Sequence, residues 1–161
     1  MIEEKEVEIE ENLLAKAAMD RIIKDEDFLK IPCKNVTKEE MDTPQIRNII
    51  EDLVSTALDL DKANKLQCAG LSANQLGYNK RIFVIKMSGR YKVFINPEII
   101  FANKTRSSTE GCFSFPGRQT TVDRFIDISV RCANQSGVKK LKKDKAIYFQ
   151  HELDHLNGIA I

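Results

Sequence analysis

Gln150-His151-Glu152-Leu153-Asp154-His155-Leu156-Asn157-Gly158 is the stretch on which the reading of this chain turns. On a helix, residues four apart lie one turn above another on the same face. The imidazoles of His151 and His155 can therefore meet at a single metal ion, with Glu152 offset toward whatever the metal binds. The chain has two histidines and both stand in this motif, a concentration that histidines scattered over surface or core would not produce. The apolar residues Ala146, Ile147, Phe149, Leu153 and Leu156 surround the pair, so most of the helix circumference is expected to be buried. The helix should run over about 143–157, with Gly158 capping its end. A central helix late in the chain, wrapped by strands made earlier, predicts an α+β fold, with mixed or antiparallel strands around the motif-bearing helix and further helices toward the N-terminus. Metalloproteases that complete this motif place another ligand downstream, but the chain stops at Ile161. The third ligand is therefore expected upstream.

Working outward, the 161 residues are expected to form one domain, with 42% apolar and 30% charged residues, as in an ordinary globular protein. A net charge of +1 offers no long-range attraction for nucleic acid, and no direct nucleic-acid binding is expected. No apolar run is long enough to span a bilayer. The acidic start Met1-Ile2-Glu3-Glu4-Lys5-Glu6 is unlike a signal or transit peptide, which predicts an intracellular or already processed chain. Cysteines stand at 33, 68, 112 and 132 without a Cys-x-x-Cys pair, so reduced thiols are expected rather than a disulfide framework.

Along the chain, residues 1–24 read as a frayed start followed by an amphipathic helix with Leu13, Leu14, Ala17, Ala18 and Ile22 at helical spacing, forming an N-terminal extension docked on the domain. The segment to Cys33 reads as an extended arm, because Pro32 disfavours helix. Thr43-Pro44 signals a helix start, with Ile46, Ile49, Ile50, Leu53, Val54, Ala57 and Leu58 as its apolar stripe as far as about Lys65. A small-residue loop follows from Cys68 to Gly77. Strands are expected at Arg81 to Ile85, Tyr91 to Ile95, Thr120 to Val122 and Phe125 to Cys132. Between them lies a Ser/Thr-rich loop, and the lysines after Gly137 read as a solvated loop and helix start.

Of the cysteines, Cys112 has the best local chemistry, with Gly111 before it and Pro116-Gly117 after it, and is favoured over Cys68 as the third ligand. Three segments together resemble the peptide deformylase family: Cys68-Ala69-Gly70-Leu71-Ser72-Ala73-Asn74-Gln75, Glu110-Gly111-Cys112-Phe113-Ser114, and Gln150 to His155. The second and third match the family pattern fully. The first departs from it at Cys68 (glycine in the family), Ser72 (alanine) and Asn74 (commonly proline). With the Asn96-Pro97 between motifs, the resemblance extends over about 25–158, and the end at Ile161 is similar to the trimmed members carried by some phages.

The resemblance implies hydrolysis of the formyl group from the N-terminal formyl-methionine of nascent polypeptides. It makes Cys112, His151 and His155 the ligands of one divalent metal with water at the fourth position, and Glu152 the general base. It also implies that the Gln75 side chain and the Phe113 backbone N–H stabilise the oxyanion, and that Gly70, with Leu71 beside it, meets the substrate main chain. Ile147 and Tyr148 are candidates for the methionine pocket, with plain core packing as the alternative, and Asp154 for a supporting role or a pair with Arg124. Thiolate with imidazoles suggests zinc by ligand softness. The family implies Fe2+ as the physiological metal, with Zn2+, Ni2+ or Co2+ able to occupy the site. A cytoplasmic monomer of a bacterium or phage-infected cell is expected, with transient ribosome association and no membrane contact. The rival readings are a zinc peptidase cleaving ordinary peptide bonds and a metal-stabilised binding module without activity.

Overall fold

The computed structural model describes residues 1–62 and 67–161. Helix α1 (Ile2–Arg21) forms from its second residue onward, not after a frayed start, because 2–21 is rich in Glu, Ala, Leu and Lys and holds no Gly or Pro. Its docking seam is Ala15 and Ala18, continued by Ile22. Leu13, expected in the seam, is 63% exposed, so small residues set the close approach. An Arg21–Asp52 ion pair ties the end of α1 to α3 (Pro44–Lys62). The expected extended arm contains a helical turn, α2 (Glu26–Leu29), because the Asp25 carboxylate accepts from the Asp27 and Phe28 N–H groups at 3.0 and 3.3 Å.

Helix α3 starts at Pro44 as expected, but the Thr43 hydroxyl donates to the Glu40 carbonyl at 2.7 Å instead of capping. Ile46, Ile49, Leu53, Ala57 and Leu60 form its buried stripe, while Leu58 faces water. The expected end near Lys65 lies outside the described residues.

Strands β1 (Gly70–Ser72), β2 (Ile82–Met87) and β3 (Arg90–Ile95) form an antiparallel sheet in that order. Ile82 and Val84 pack in one core with α3, and Phe83 and Ile85 in another with the motif helix. Burial on both faces explains the unbroken apolar run of β2. The second sheet is β4 (Glu98–Cys112), β5 (Phe115–Arg131) and β6 (Lys139–Lys142). Three expectations change here. The Ser/Thr-rich segment is the long strand β4, the two strands expected at 120–132 are one strand, and the lysine segment pairs as β6 with Leu141 buried. Most of β4 and of the first half of β5 faces solvent, so no alternation of apolar and polar residues marks their sequence.

Helix α4 (Asp144–Leu156) lies against both sheets, with Phe149 edge-on to Phe83 and Phe94 at centroid distances of 5.1 and 5.3 Å. Gly158 caps it at φ 76°: its N–H donates to the His155 carbonyl and that of Ile159 to the Asp154 carbonyl. No helix among the described residues is long and apolar enough to cross a membrane.

Candidate active site

A two-residue connection, Phe113-Ser114, joins β4 to β5 and places Cys112 at the tip of the hairpin, where the pairing register shifts. The hairpin is pinned to α4 by Gln150, whose side chain accepts from the Phe125 N–H at 2.9 Å and donates to the Phe125 carbonyl at 2.7 Å. That clamp brings Cys112 against the two histidines. The Nε2 atoms of His151 and His155 lie 3.1 Å apart, and Cys112 Sγ is 3.3 Å from His155 Nε2. The three ligand atoms fall within 4.8 Å of one another. Metal–nitrogen and metal–sulfur bonds of about 2.1 and 2.3 Å at a tetrahedral centre require separations of roughly 3.4–3.6 Å. The two close pairs stand a few tenths of an ångström inside that range, and the thiol and two imidazoles are a donor set that fits a metal. The other thiols do not compete. Burial pushes Cys33 up to about 11 and Cys68 up to about 12, which keeps both protonated, and Cys132 is buried.

Behind His151 stands a buried ionic chain. His151 Nδ1 lies 2.8 Å from Glu110 Oε1, Arg124 donates to both Glu110 oxygens at 3.0 and 2.8 Å, and its remaining nitrogen donates to Asp154 at 2.5 Å. Asp154 thus pairs with Arg124. Burial would raise Glu110, but His151 and Arg124 outweigh it and hold the carboxyl at about 2. Burial would lower His151, but Cys112 and Glu110 raise it to about 10, whereas burial and the adjacent His151 push His155 down to about 3. Among the protein groups alone these shifts favour a charged His151 beside a neutral His155, and a bound cation would displace the extra proton. Arg124→Met would leave Glu110 and Asp154 without their cation. It is expected to lower unfolding stability by about 3–5 kcal/mol, read by urea denaturation.

A cavity of about 670 Å³ opens over this cluster, and Gly70, Gln75, Cys112, Phe113, Ile147, Tyr148, His151 and Glu152 all reach its wall. Leu71 does not: its side chain is fully buried in the α3 core. Glu152 is 4% exposed, its Oε2 has no protein partner, and burial raises its carboxyl to about 7. Gln75 Nε2 donates toward Cys112 Sγ at 3.3 Å and to Ser114 Oγ at 3.2 Å, while its Oε1 accepts from Ser72. Cys112 and His151 of the three-residue cluster, a buried carboxyl group and an amide thus converge on one cavity. A structural metal site would ordinarily be closed by a fourth protein ligand, and none joins the cluster among the described residues.

The polypeptide deformylase family model matches residues 19–161. The chain belongs to that family. The peptide deformylase of Aquifex aeolicus is 34% identical over 150 residues, covering 88% of this chain and 83% of that one. A class I type b deformylase of Acinetobacter baumannii, solved with Met-Ala-Ser bound, superposes with a TM-score of 0.72 at 26% identity, over 86% of this chain and 92% of that one. A deformylase from the Vibrio parahaemolyticus bacteriophage VP16T, solved with actinonin, matches at 30% identity and a TM-score of 0.70, over 88% of this chain and 99% of the phage chain. This deformylase is a hydrolase of the family that removes the formyl group from nascent peptides.

Two features of the deformylase site go beyond the roles that sequence reasoning assigned. Glu110 and Ser114 each stand two residues from Cys112, and the period of a strand puts 110 and 112 on one face. That spacing was the available signal for Glu110. Gly70 is the second case, where a tight fit accompanies the backbone role expected of it. A Cβ there would meet the Val84 carbonyl oxygen at 2.9 Å and the Glu152 side chain at 3.0 Å. Gly70→Ala is expected to displace the carboxylate and lower stability by about 1–3 kcal/mol, visible as a reduced melting temperature together with slowed turnover.

Proposed function

We propose that Cys112, His151 and His155 hold one divalent metal ion, and that the chain uses it to hydrolyse the formamide of N-terminal formyl-methionine. The observation that carries the reading is the convergence of those three ligand atoms beside a cavity that Cys112, His151, Glu152 and Gln75 line. A bound ion supplies Lewis acidity that polarises the formyl carbonyl and acidifies water. Glu152, buried and holding an unpaired oxygen, takes the proton of the attacking water and passes it to the departing amine nitrogen. The Gln75 amide, with the Phe113 backbone N–H beside the same cavity, donates to the oxyanion that forms on the formyl carbon. Gly70, with no side chain at the cavity wall, receives the substrate main chain, and Ile147 and Tyr148 border the methionine side chain.

Ferrous iron is our choice for the physiological metal, with Zn2+, Ni2+ or Co2+ able to take its place. The Met-Ala-Ser carried by the Acinetobacter relative supports a short methionine-initiated peptide as substrate. We place the protein in the cytoplasm of a bacterium or phage-infected cell, as a monomer that meets nascent chains by transient ribosome association. The family match from residue 19 and the near-complete coverage of the phage chain support a short catalytic domain preceded by a helical extension over 1–24. Anaerobically purified protein loaded with Fe2+ should release formate from formyl-Met-Ala-Ser, lose that activity on chelation, and regain it with Fe2+. Formate release unaffected by chelation, or absent with every one of the four metals, contradicts the proposal.

A further inference from the structure

We infer that Ser72 and Asn74 are positioning residues of this deformylase, holding Gln75 and His155 in one fixed relation across the metal centre. The inference rests on the roles proposed above for those two residues. The family motif has alanine and commonly proline at these positions, where this chain carries two polar side chains. They are also among its most deeply buried polar groups, at 0% and 2% exposure. Burying a hydroxyl and an amide is unfavourable unless each finds partners, and here each does.

Asn74 Nδ2 donates to the main-chain carbonyl of His155 at 2.8 Å, across 81 residues of sequence. Asn74 Oδ1 accepts from the Ser72 hydroxyl at 2.8 Å, and the same hydroxyl lies 3.0 Å from Gln75 Oε1. The Ser72 backbone N–H also donates to Gln75 Oε1 at 3.0 Å. With its oxygen occupied from this side, Gln75 can only present its NH2 toward Cys112 and Ser114. A flipped amide would set its NH2 against the Ser72 N–H, donor facing donor.

The path therefore runs from Cys112 through Gln75, Ser72 and Asn74 to His155, whose ring returns to Cys112 at 3.3 Å. It supports the ligand that lacks another brace. His151 is oriented by Glu110 through its far ring nitrogen, but the buried His155 Nδ1 has no protein partner among the described residues. His155 is held instead through its main chain, by Asn74 and by the capping N–H of Gly158 on the same carbonyl. Ligand orientation by such outer partners governs metal affinity. Asn74 thus acts through His155, and the Ser72 hydroxyl through Gln75.

The two roles separate by experiment. Co2+ is titrated into metal-free protein against a competing chelator, followed by thiolate-to-cobalt absorption, and kcat and KM are measured on formyl-Met-Ala-Ser. Asn74→Leu should weaken Co2+ binding about tenfold and shift the absorption band. Ser72→Ala should bind Co2+ as wild type does while kcat falls about threefold at unchanged KM. Adding Ser72→Ala to Asn74→Leu should cost less than the product of the single effects, because both act in one network. If Asn74→Leu does not fold, Asn74→Ser, too short to reach the carbonyl, is read in the same way. Asn74 variants that bind Co2+ with wild-type affinity and merely melt at lower temperature would overturn the inference, as would a Ser72→Ala enzyme with unaltered kcat. If the wild-type protein releases no formate, the functional reading fails, and the Co2+ titration still decides the part played by Asn74.

Discussion

Glu152→Ala is expected to lower kcat by roughly 10²–10⁴ while the protein keeps its metal, as is Glu152→Gln, which preserves shape. The carboxylate is one residue from His151 yet contributes no atom to the Cys112–His151–His155 cluster, so ion binding should not depend on it. Its Oε2 has no protein partner and it is buried against Gly70, an arrangement that costs stability. Replacing it with glutamine removes a buried ionisable group, so the variant should melt no lower than the wild type. Metal content by elemental analysis beside initial rates of formate release checks the expectation. Wild-type turnover in either variant would remove Glu152 as the base.

Cys112→Ala should lose the metal itself. With one of three protein ligands gone, occupancy after dialysis is expected to fall below about a tenth of the wild-type value, and turnover with it. The effect should be specific to this thiol, because Cys33, Cys68 and Cys132 are buried away from the cluster. A Cys132→Ala protein that keeps its metal beside a Cys112→Ala protein that does not is the pattern expected. Full occupancy in Cys112→Ala would take Cys112 out of the ligand set.

The motif helix was legible because all its signals agree. The helical spacing of its apolar residues, the histidine pair and Gly158 lead to a helix over 144–156, against about 143–157 expected. β2 was legible for the same reason, as an apolar run buried on two faces. The long hairpin was not. Ser107, Ser108, Thr109, Thr120 and Thr121 lie in exposed or half-buried pairs, and their strand character comes from cross-strand partners, such as Thr109 with Thr121 at 2.9 Å, that no local pattern encodes. The Asp25 cap was a local signal that the weight given to Pro32 obscured. The α1 seam was legible in part: Ala18 and Ile22 are buried as expected from helical spacing, while Leu13 and Leu14 face outward and Ala15 completes the contact. Within the site, the histidines, Glu152 and Cys112 could be named from residue types and the family resemblance. The Glu110–His151 contact and the Asn74–His155 link depend on elements far apart in sequence being folded together.

The central claim is that the bond attacked is a formamide and not a peptide bond. Product analysis by mass spectrometry, on formyl-Met peptides beside their unformylated counterparts with anaerobically purified Fe2+ protein, tests it most directly. Free formate and an otherwise intact peptide with a new amino terminus are predicted, and no change in the unformylated control. Cleavage of an internal peptide bond in either substrate, with the formyl group still attached, would contradict the account.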